Sequence, residues 1–478
     1  MVTRLSPQDS AFYYLDERGG GSQVGSLLII ERPQPGADGR RGGLDYQRLL
    51  STVESRLQLV PRYRKLIREI TLGLGRPVWV DDGEFDITYH IRRSALPEPG
   101  SDEQLHDLVA RLMSRPLEPD RPLWEMYLVE GLRDNRLAIL TKTHRALVSG
   151  HDALEINQVI VDDAPGAAEP PADLWLPARE PGRAELMAGA VGDALTHPLE
   201  VLDRVWAAAG PVNAVGGLVA DSARRFGSLV QLAAGSAPRS PLNGTTTGTS
   251  LFTVASCSGI EAVEVADGFG CSVSDVLLAT VAGALRRWLL SRDQTLDQAA
   301  SVRVLVPLKA FPEDIPPARE AEWAAGGLQG FVTDLPVGEP NGLVRLSQVA
   351  QLTQRHARSP RRMAAGPSDS WLNYEVGPAT FHAMSARAAA SMSRRSFNLP
   401  ITIARGPEQP QYLAGNRVTA IVPVPVRVRD RALSVGLTTY DGRINFGLNA
   451  DRTAMWDLPM MTEYVSESFE ELVSGVRR

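Results

Sequence analysis

The stretch Arg136-Leu137-Ala138-Ile139-Leu140-Thr141-Lys142-Thr143-His144-Arg145-Ala146-Leu147-Val148-Ser149-Gly150 decides how the rest of the chain is read. Over 136–143 the residues alternate: Leu137, Ile139, Thr141 and Thr143 fall on one side, Ala138, Leu140 and Lys142 on the other. A period of two is the signature of a β-strand. The strand delivers His144 to a loop that reaches Gly150, and a helix is expected from Asp152, a residue suited to an N-cap or first-turn position. A histidine carried by a rigid strand is well placed to hold a catalytic geometry.

Upstream of this stretch, strand and helix signals alternate. Residues 26–30 are a short apolar strand, and 46–59 have helical spacing with Leu49, Leu50, Val53 and Leu57 on one side. Residues 77–80 and 85–90 alternate as strands do. Downstream, 164–182 are rich in Pro, Ala and Glu and read as a linker. Ala- and Gly-rich helices over 185–235 follow, and 236–248 are a second linker. Further strands are expected at 303–308, 417–426 and 434–440, with a buried amphipathic helix starting at Val273. The organisation is therefore an N-terminal α/β unit over 1–182, a helical crossover and linker over 183–248, and a C-terminal α/β unit over 249–478. A chain of 478 residues is long enough for two cores of roughly 200–250 residues each.

Composition excludes several classes. The hydrophobic fraction of 43% and charged fraction of 22% belong to a folded globular protein rather than a disordered one. The formal net charge of -6 and the absence of a basic stripe with interleaved aromatics exclude nucleic acid as an expected partner. Cys257 and Cys271 are too few for a disulfide framework and lack metal-ligand spacing, so no metal site is expected. No secretion signal follows Met1, and no run of 18 uncharged apolar residues occurs, so a cytoplasmic location is expected.

The segment from His144 to Gly150 resembles the His-His-x-x-x-Asp-Gly signature of the bacterial wax ester synthase/diacylglycerol acyltransferase family. The likeness runs nearly end to end. Leu5-Ser6-Pro7-Gln8-Asp9 with Phe12 resembles the family's opening, and Pro122-Leu123-Trp124-Glu125 its Pro-Leu-Trp block. Ser274-Asp275 stands at its Asn-Asp pair, and Gly406-Pro407 at the end of its Asn-Val-Pro-Gly-Pro segment. Tyr440-Asp441-Gly442-Arg443 and Gly447-Leu448 with Asp451 fit its C-terminal strand pair. The resemblance implies a two-domain fold like chloramphenicol acetyltransferase, with mixed sheets, a helical crossover and an interdomain tunnel. It implies transfer of a fatty acyl group from acyl-CoA, as co-substrate and with no bound cofactor, to diacylglycerol or a long-chain alcohol. In such proteins the second histidine deprotonates the acceptor hydroxyl. Membership also implies a peripheral place on the inner membrane face or on lipid inclusions; a homologous acyltransferase as a partner is suggested only by the departures that follow.

The departures from that pattern fall on its chemistry. Arg145 stands at the base position, Ser149 replaces the aspartate, Ser274 the asparagine of Asn-Asp, and Ile403 and Arg405 the Asn and first Pro of the later motif; Gly150 is kept. A guanidinium is always charged and has no lone pair to accept a proton, so Arg145 cannot act as a base. It can bind an anion: a CoA phosphate, a carboxylate or a developing oxyanion. Two roles are open to His144, a packed ring that orients the loop and a substitute base. Bland readings stand beside the functional ones elsewhere. Trp124 suits core packing, Glu125 a loop or domain-interface contact, Asp275 an N-cap or an interdomain bond, and Arg286-Arg287 and Arg361-Arg362 solvated helix faces. Two rivals to the transferase are a non-catalytic relative that binds acyl lipids or regulates an active homologue, and a condensation-type enzyme of the same fold.

Overall fold

The computed structural model describes residues 3–5, 13, 23–32, 43–70, 76–144, 146–147, 155–166, 175–182, 184–187, 237–309, 328–358 and 397–477. Arg145, Ser149, Gly150, Asp152, most of the span 185–235 in which crossover helices are expected, and Arg361-Arg362 lie outside these residues.

Two six-stranded sheets carry the architecture. The first is built from β2 (Gln23–Glu31), β5 (Ile91–Ala95), β6 (Trp124–Leu132) and β7 (Arg136–His144), joined by β12 (Tyr412–Leu413) and β13 (Asn416–Val424). Its order is β12-β13-β2-β7-β6-β5. The second comprises β8 (Ser250–Ser258), β9 (Val302–Lys309), β10 (Leu328–Leu335), β11 (Leu399–Arg405), β14 (Leu433–Tyr440) and β15 (Arg443–Asp451), in the order β10-β9-β11-β14-β15-β8. A small third sheet joins β1 (Thr3–Arg4), β4 (Val78–Asp81) and β3 (Lys65–Arg68). The expected α/β class with mixed sheets is what the chain forms. β5 runs parallel to β6 and β11 parallel to β14, and the remaining pairs of the two large sheets are antiparallel but for β11 with β9.

The alternation of β7 does what its sequence requires. Leu137 and Ile139 enter a core with Leu49 and Val53 of helix α1 (Tyr46–Arg56), whereas Ala138 and Leu140 enter one with Leu105 and Val109 of α3 (Asp102–Ser114). Apolar residues on both faces mark a strand buried on both sides. Ser101 and Gln104 start α3 with a reciprocal capping box. The helix then wedges between the two sheets: Phe252 of β8 shares its core, and the Ser250 N–H donates to Ser114 Oγ at 3.2 Å.

One expectation needs correction and another gains a partner. Residues 85–90 alternate like a strand, but Asp86 accepts the Thr88 N–H at 2.9 Å and caps a single helical turn, α2 (Ile87–His90), before β5 begins. The side-chain cap offers the backbone a turn that alternation alone does not register. The strand expected at 417–426 forms as β13, Asn416–Val424, and it lies between β12 and β2 in the first sheet rather than in the second, which holds β14 and β15. A cut after residue 248 therefore leaves 412–424 on the far side of a sheet they complete.

In the second sheet, the outer face is apolar and packs on α6 (Val273–Ser291) and α8 (Met460–Val476). Trp288, fully buried, donates its indole N–H to Asp457 at 3.1 Å, and Arg292 grips the same carboxylate. Among the described residues no single helix is long and apolar enough to cross a membrane. The pair α5 (Gly259–Phe269) and α6 bends by 104°, and α6 is core.

Candidate active site

His144 ends β7, opposite Gln23 of β2, and is 6% exposed. Its backbone N–H donates to the Leu123 carbonyl at 2.9 Å, and its own carbonyl accepts from the Leu147 N–H at 3.0 Å, so the chain turns at once. The ring Nδ1 accepts the Ala146 N–H at 3.1 Å, and Tyr13 stands edge-on at 6.4 Å. A backbone amide can only donate, so Nδ1 must present its lone pair there. The neutral ring then carries its proton on Nε2. In that tautomer the one basic nitrogen of His144 is already engaged.

The Pro122-Leu123-Trp124-Glu125 block lies directly beside this turn. Pro122 and Leu123 are buried at the strand entry, where the Trp124 N–H donates to the Pro122 carbonyl at 2.8 Å. Trp124 is fully buried and donates its indole N–H to the Tyr63 carbonyl at 2.8 Å. One face of Trp124 stacks on His90, with centroids 4.6 Å apart at 10°, and Phe85 covers the other side of that imidazole. His90 Nδ1–H donates to the Trp124 carbonyl at 2.8 Å. Burial pushes the His90 pKa down to about 4, against the opposing pull of that carbonyl. Trp124 is therefore core, as its chemistry suggests.

Glu125 departs from expectation. It sits inside β6, not in a loop, and accepts from Tyr127 Oη at 2.8 Å, from Lys142 Nζ at 3.3 Å and from Arg92 at 3.3 Å. Lys142, fully buried, also donates to the Arg115 carbonyl at 2.6 Å. Burial lowers the Lys142 pKa, and the Glu125 carboxylate works against that shift. A buried ammonium persists only when paired and hydrogen-bonded in this way.

The far end of the motif loop meets a second polar group that the spacing of the sequence does not reveal. The described helix α4 (Ile156–Ile160) is capped by Glu155 in a reciprocal box with Gln158. Thr141 Oγ1 donates to Asn157 Oδ1 at 2.6 Å, and Tyr63 Oη accepts the Ile156 N–H at 3.3 Å and a bond from Thr143. Burial, reinforced by the Glu155 charge, raises the Tyr63 pKa. Ser26, Tyr63, Thr141, Thr143, Glu155 and Asn157 together line a narrow polar recess. The alternation of β7 places Thr141 and Thr143 on one side, which is the signal available in the sequence; nothing local points to Tyr63.

Ser274 and Asp275 open α6 in the other unit. The N-cap is Ser272, not Asp275: Asp275 is the third helical residue of a capping box, accepting the Ser272 N–H at 3.0 Å. Its second oxygen accepts from Thr353 of α7 (Gly342–Arg358) at 2.7 Å, so it ties two helices together. Ser274 Oγ is buried without a hydrogen-bond partner. Ile403 lies in the apolar core under α6, and Arg405 pairs with Glu408. Arg286 and Arg287 are half-buried and both are bonded: Arg286 donates to the Val337 and Gly338 carbonyls at 2.9 and 2.8 Å, and Arg287 pairs with Glu467 and Glu471. Among the described residues no group of three or more His, Cys, Asp or Glu side chains is placed to hold a metal ion.

Comparison with known proteins adds the decisive observation. The description "Wax ester synthase/diacylglycerol acyltransferase catalytic domain" matches residues 5–277, and "WS/DGAT C-terminal domain" matches 328–473. The chain belongs to the wax ester synthase/diacylglycerol acyltransferase family. A probable diacylglycerol O-acyltransferase of Mycobacterium tuberculosis, tgs3, is 51% identical over 259 residues, which are 54% of this chain and 93% of that one. A second from the same organism, tgs1, is 28% identical over 486 aligned residues, covering 100% of this chain and 97% of the other. The solved wax ester synthase/diacylglycerol acyltransferase of Marinobacter aquaeolei VT8 superposes with a TM-score of 0.67 at 24% identity, covering 100% of both chains. The first condensation domain of the calcium-dependent antibiotic synthetase shares the fold at a TM-score of 0.51 and 15% identity, over 99% of this chain and 97% of that one.

Proposed function

We propose that this member of the family transfers a fatty acyl group from acyl-CoA to the hydroxyl of diacylglycerol or a long-chain alcohol, without the histidine base at the usual position. The observation that carries the reading is the match of both family domains, 5–277 and 328–473, within one chain. In the reaction, the acceptor oxygen attacks the thioester carbonyl, the C–S bond breaks, and the hydroxyl proton ends on the departing CoA sulfur. Neither residue at the motif takes that proton readily: Arg145 has no lone pair, and the basic nitrogen of His144 is held by Ala146. What remains is positioning, with His144 Nε2–H as a donor and the Arg145 guanidinium for a CoA phosphate or the developing oxyanion. General base catalysis typically contributes roughly 10²–10⁴-fold, so turnover is expected to be slow by that factor. The lipid acceptor implies that the chain works against a membrane face or lipid inclusion.

The Ala146–His144 bond and Arg145 also favour a second reading, a non-catalytic relative that binds acyl lipids or pairs with an active homologue. The two separate in one assay. Purified protein is incubated with palmitoyl-CoA and either dioleoylglycerol or hexadecanol, and ester and free CoA are quantified. Equimolar ester and CoA above the enzyme-free blank support the transferase. Tight palmitoyl-CoA binding with no ester at all supports the binder.

A further inference from the structure

The two faces of the second sheet differ sharply. Val435, Leu437, Phe446 and Leu448 line the outer face against the helices. The opposite face of the same strands reads Ser434, Gly436, Thr438 on β14 and Asn445, Gly447, Asn449 on β15. This face is turned to the N-terminal sheet: Asn445 and Asn449 donate their amide N–H groups to the Ile421 and Pro425 carbonyls at 3.1 and 2.8 Å. A Cβ on Gly447 would lie 1.7 Å from the Pro423 oxygen, so only glycine allows β13 to come this close.

Within that face, Ser434 and Asn449 are directly opposite one another. They are 2% and 4% exposed, yet Ser434 Oγ and Asn449 Oδ1 have no hydrogen-bond partner. The amide orientation of Asn449 is fixed by chemistry, because the Pro425 carbonyl can only accept; Oδ1 is therefore the orphan. Two buried polar atoms left unsatisfied side by side cost stability unless a ligand or water completes them. Their neighbours in the row are apolar: Asn449 pairs with Phe252 on one side, and on the other Pro400 pairs with Leu305 next to Ile401, the partner of Val435.

We propose that Ser434 and Asn449 form a subsite for one hydroxyl group, which donates to Asn449 Oδ1 and accepts from Ser434 Oγ–H, with the alkyl remainder leaving on the Phe252 side. A hydroxyl is the small group that is both donor and acceptor, which is what this pair lacks. Two sources supply it, a long-chain alcohol or glyceride and a bound water; we assign the lipid, a choice that rests on the acyltransferase reading.

The test is tryptophan-fluorescence titration of the full chain with 1-dodecanol and with 1-chlorododecane, which matches it in size but cannot donate. The measurement is repeated on Ser434→Ala, and no acyl-CoA is present. The wild type is expected to prefer the alcohol by roughly 3- to 10-fold, and Ser434→Ala to lose that preference while its Tm stays level or rises, since an orphan is removed. Equal affinity for both probes in the wild type overturns the lipid assignment and leaves the pair to water. A preference that survives Ser434→Ala overturns the subsite itself. Because no turnover is measured, a chain that selects dodecanol through Ser434 and makes no ester contradicts the transferase reading alone.

Discussion

The two large sheets have the same number of strands and solve different problems. The N-terminal sheet is apolar on both faces, and its polar residues gather where β7 ends: Thr141, Lys142, Thr143 and His144 with Glu125, Tyr63 and Asn157 around them. The C-terminal sheet is apolar on its outer face and sets its polar and small residues along the inner face of β14 and β15. Concentrated polarity at a strand end fixes one loop in place, whereas polarity spread over a face, with small residues between, lets a second sheet lie against it. Chemistry belongs to the first arrangement, and docking and recognition to the second.

The contrast can be broken at several points. The largest effect is expected at Gly447→Ala, where the new Cβ meets the Pro423 carbonyl; a loss of ~4 kcal/mol in urea unfolding is expected, against almost none for Gly83→Ala, which has open space around it. A mild Gly447→Ala would mean that the sheets are not held this closely. Lys142→Met leaves Glu125 with two of its three partners, and a loss of about 3 kcal/mol is expected by the same measurement.

A pH profile reaches the aromatic stack behind the motif. His90 is held neutral when folded, with its pKa lowered to about 4, so the unfolded chain binds the extra proton first as pH falls. Stability from this group is full above about pH 6.5 and is lost between there and pH 4, amounting to roughly 3 kcal/mol. Subtracting the profile of His90→Gln from that of the wild type should isolate this slope, and a flat difference would refute it. Tyr63→Phe, the smallest change, removes the oxygen that accepts from Ile156 and Thr143 and should cost about 1 kcal/mol. A thermal melt unchanged by that substitution would show that the recess does not tie the two ends of the loop together.

Much of this was readable from residue order, for physical reasons that stop at the pair level. Strict alternation marks β7 and β14 as strands and even places Ser434, Gly436 and Thr438 on one side. It does not say which strand lies next to which, so the insertion of β13 into the N-terminal sheet could not be read. Alternation at 85–90 misleads because the Asp86 side chain closes a turn. Trp124 as core follows from its size and apolarity. The engagement of His144 Nδ1 by Ala146 depends on the turn geometry after the strand, and the role of Tyr63 on a contact between residues far apart in the chain; neither leaves a local trace.

The proposed function keeps the fold of the family and lacks a proton-accepting group at Arg145. The most direct test is the initial rate of ester formation from palmitoyl-CoA by the wild type and by the Arg145→His/Ser149→Asp double variant, at matched protein stability. The account predicts a gain of at least about 10²-fold in the double variant. A wild type that forms ester as fast as the double variant would contradict it, and would place the proton acceptor elsewhere in the site.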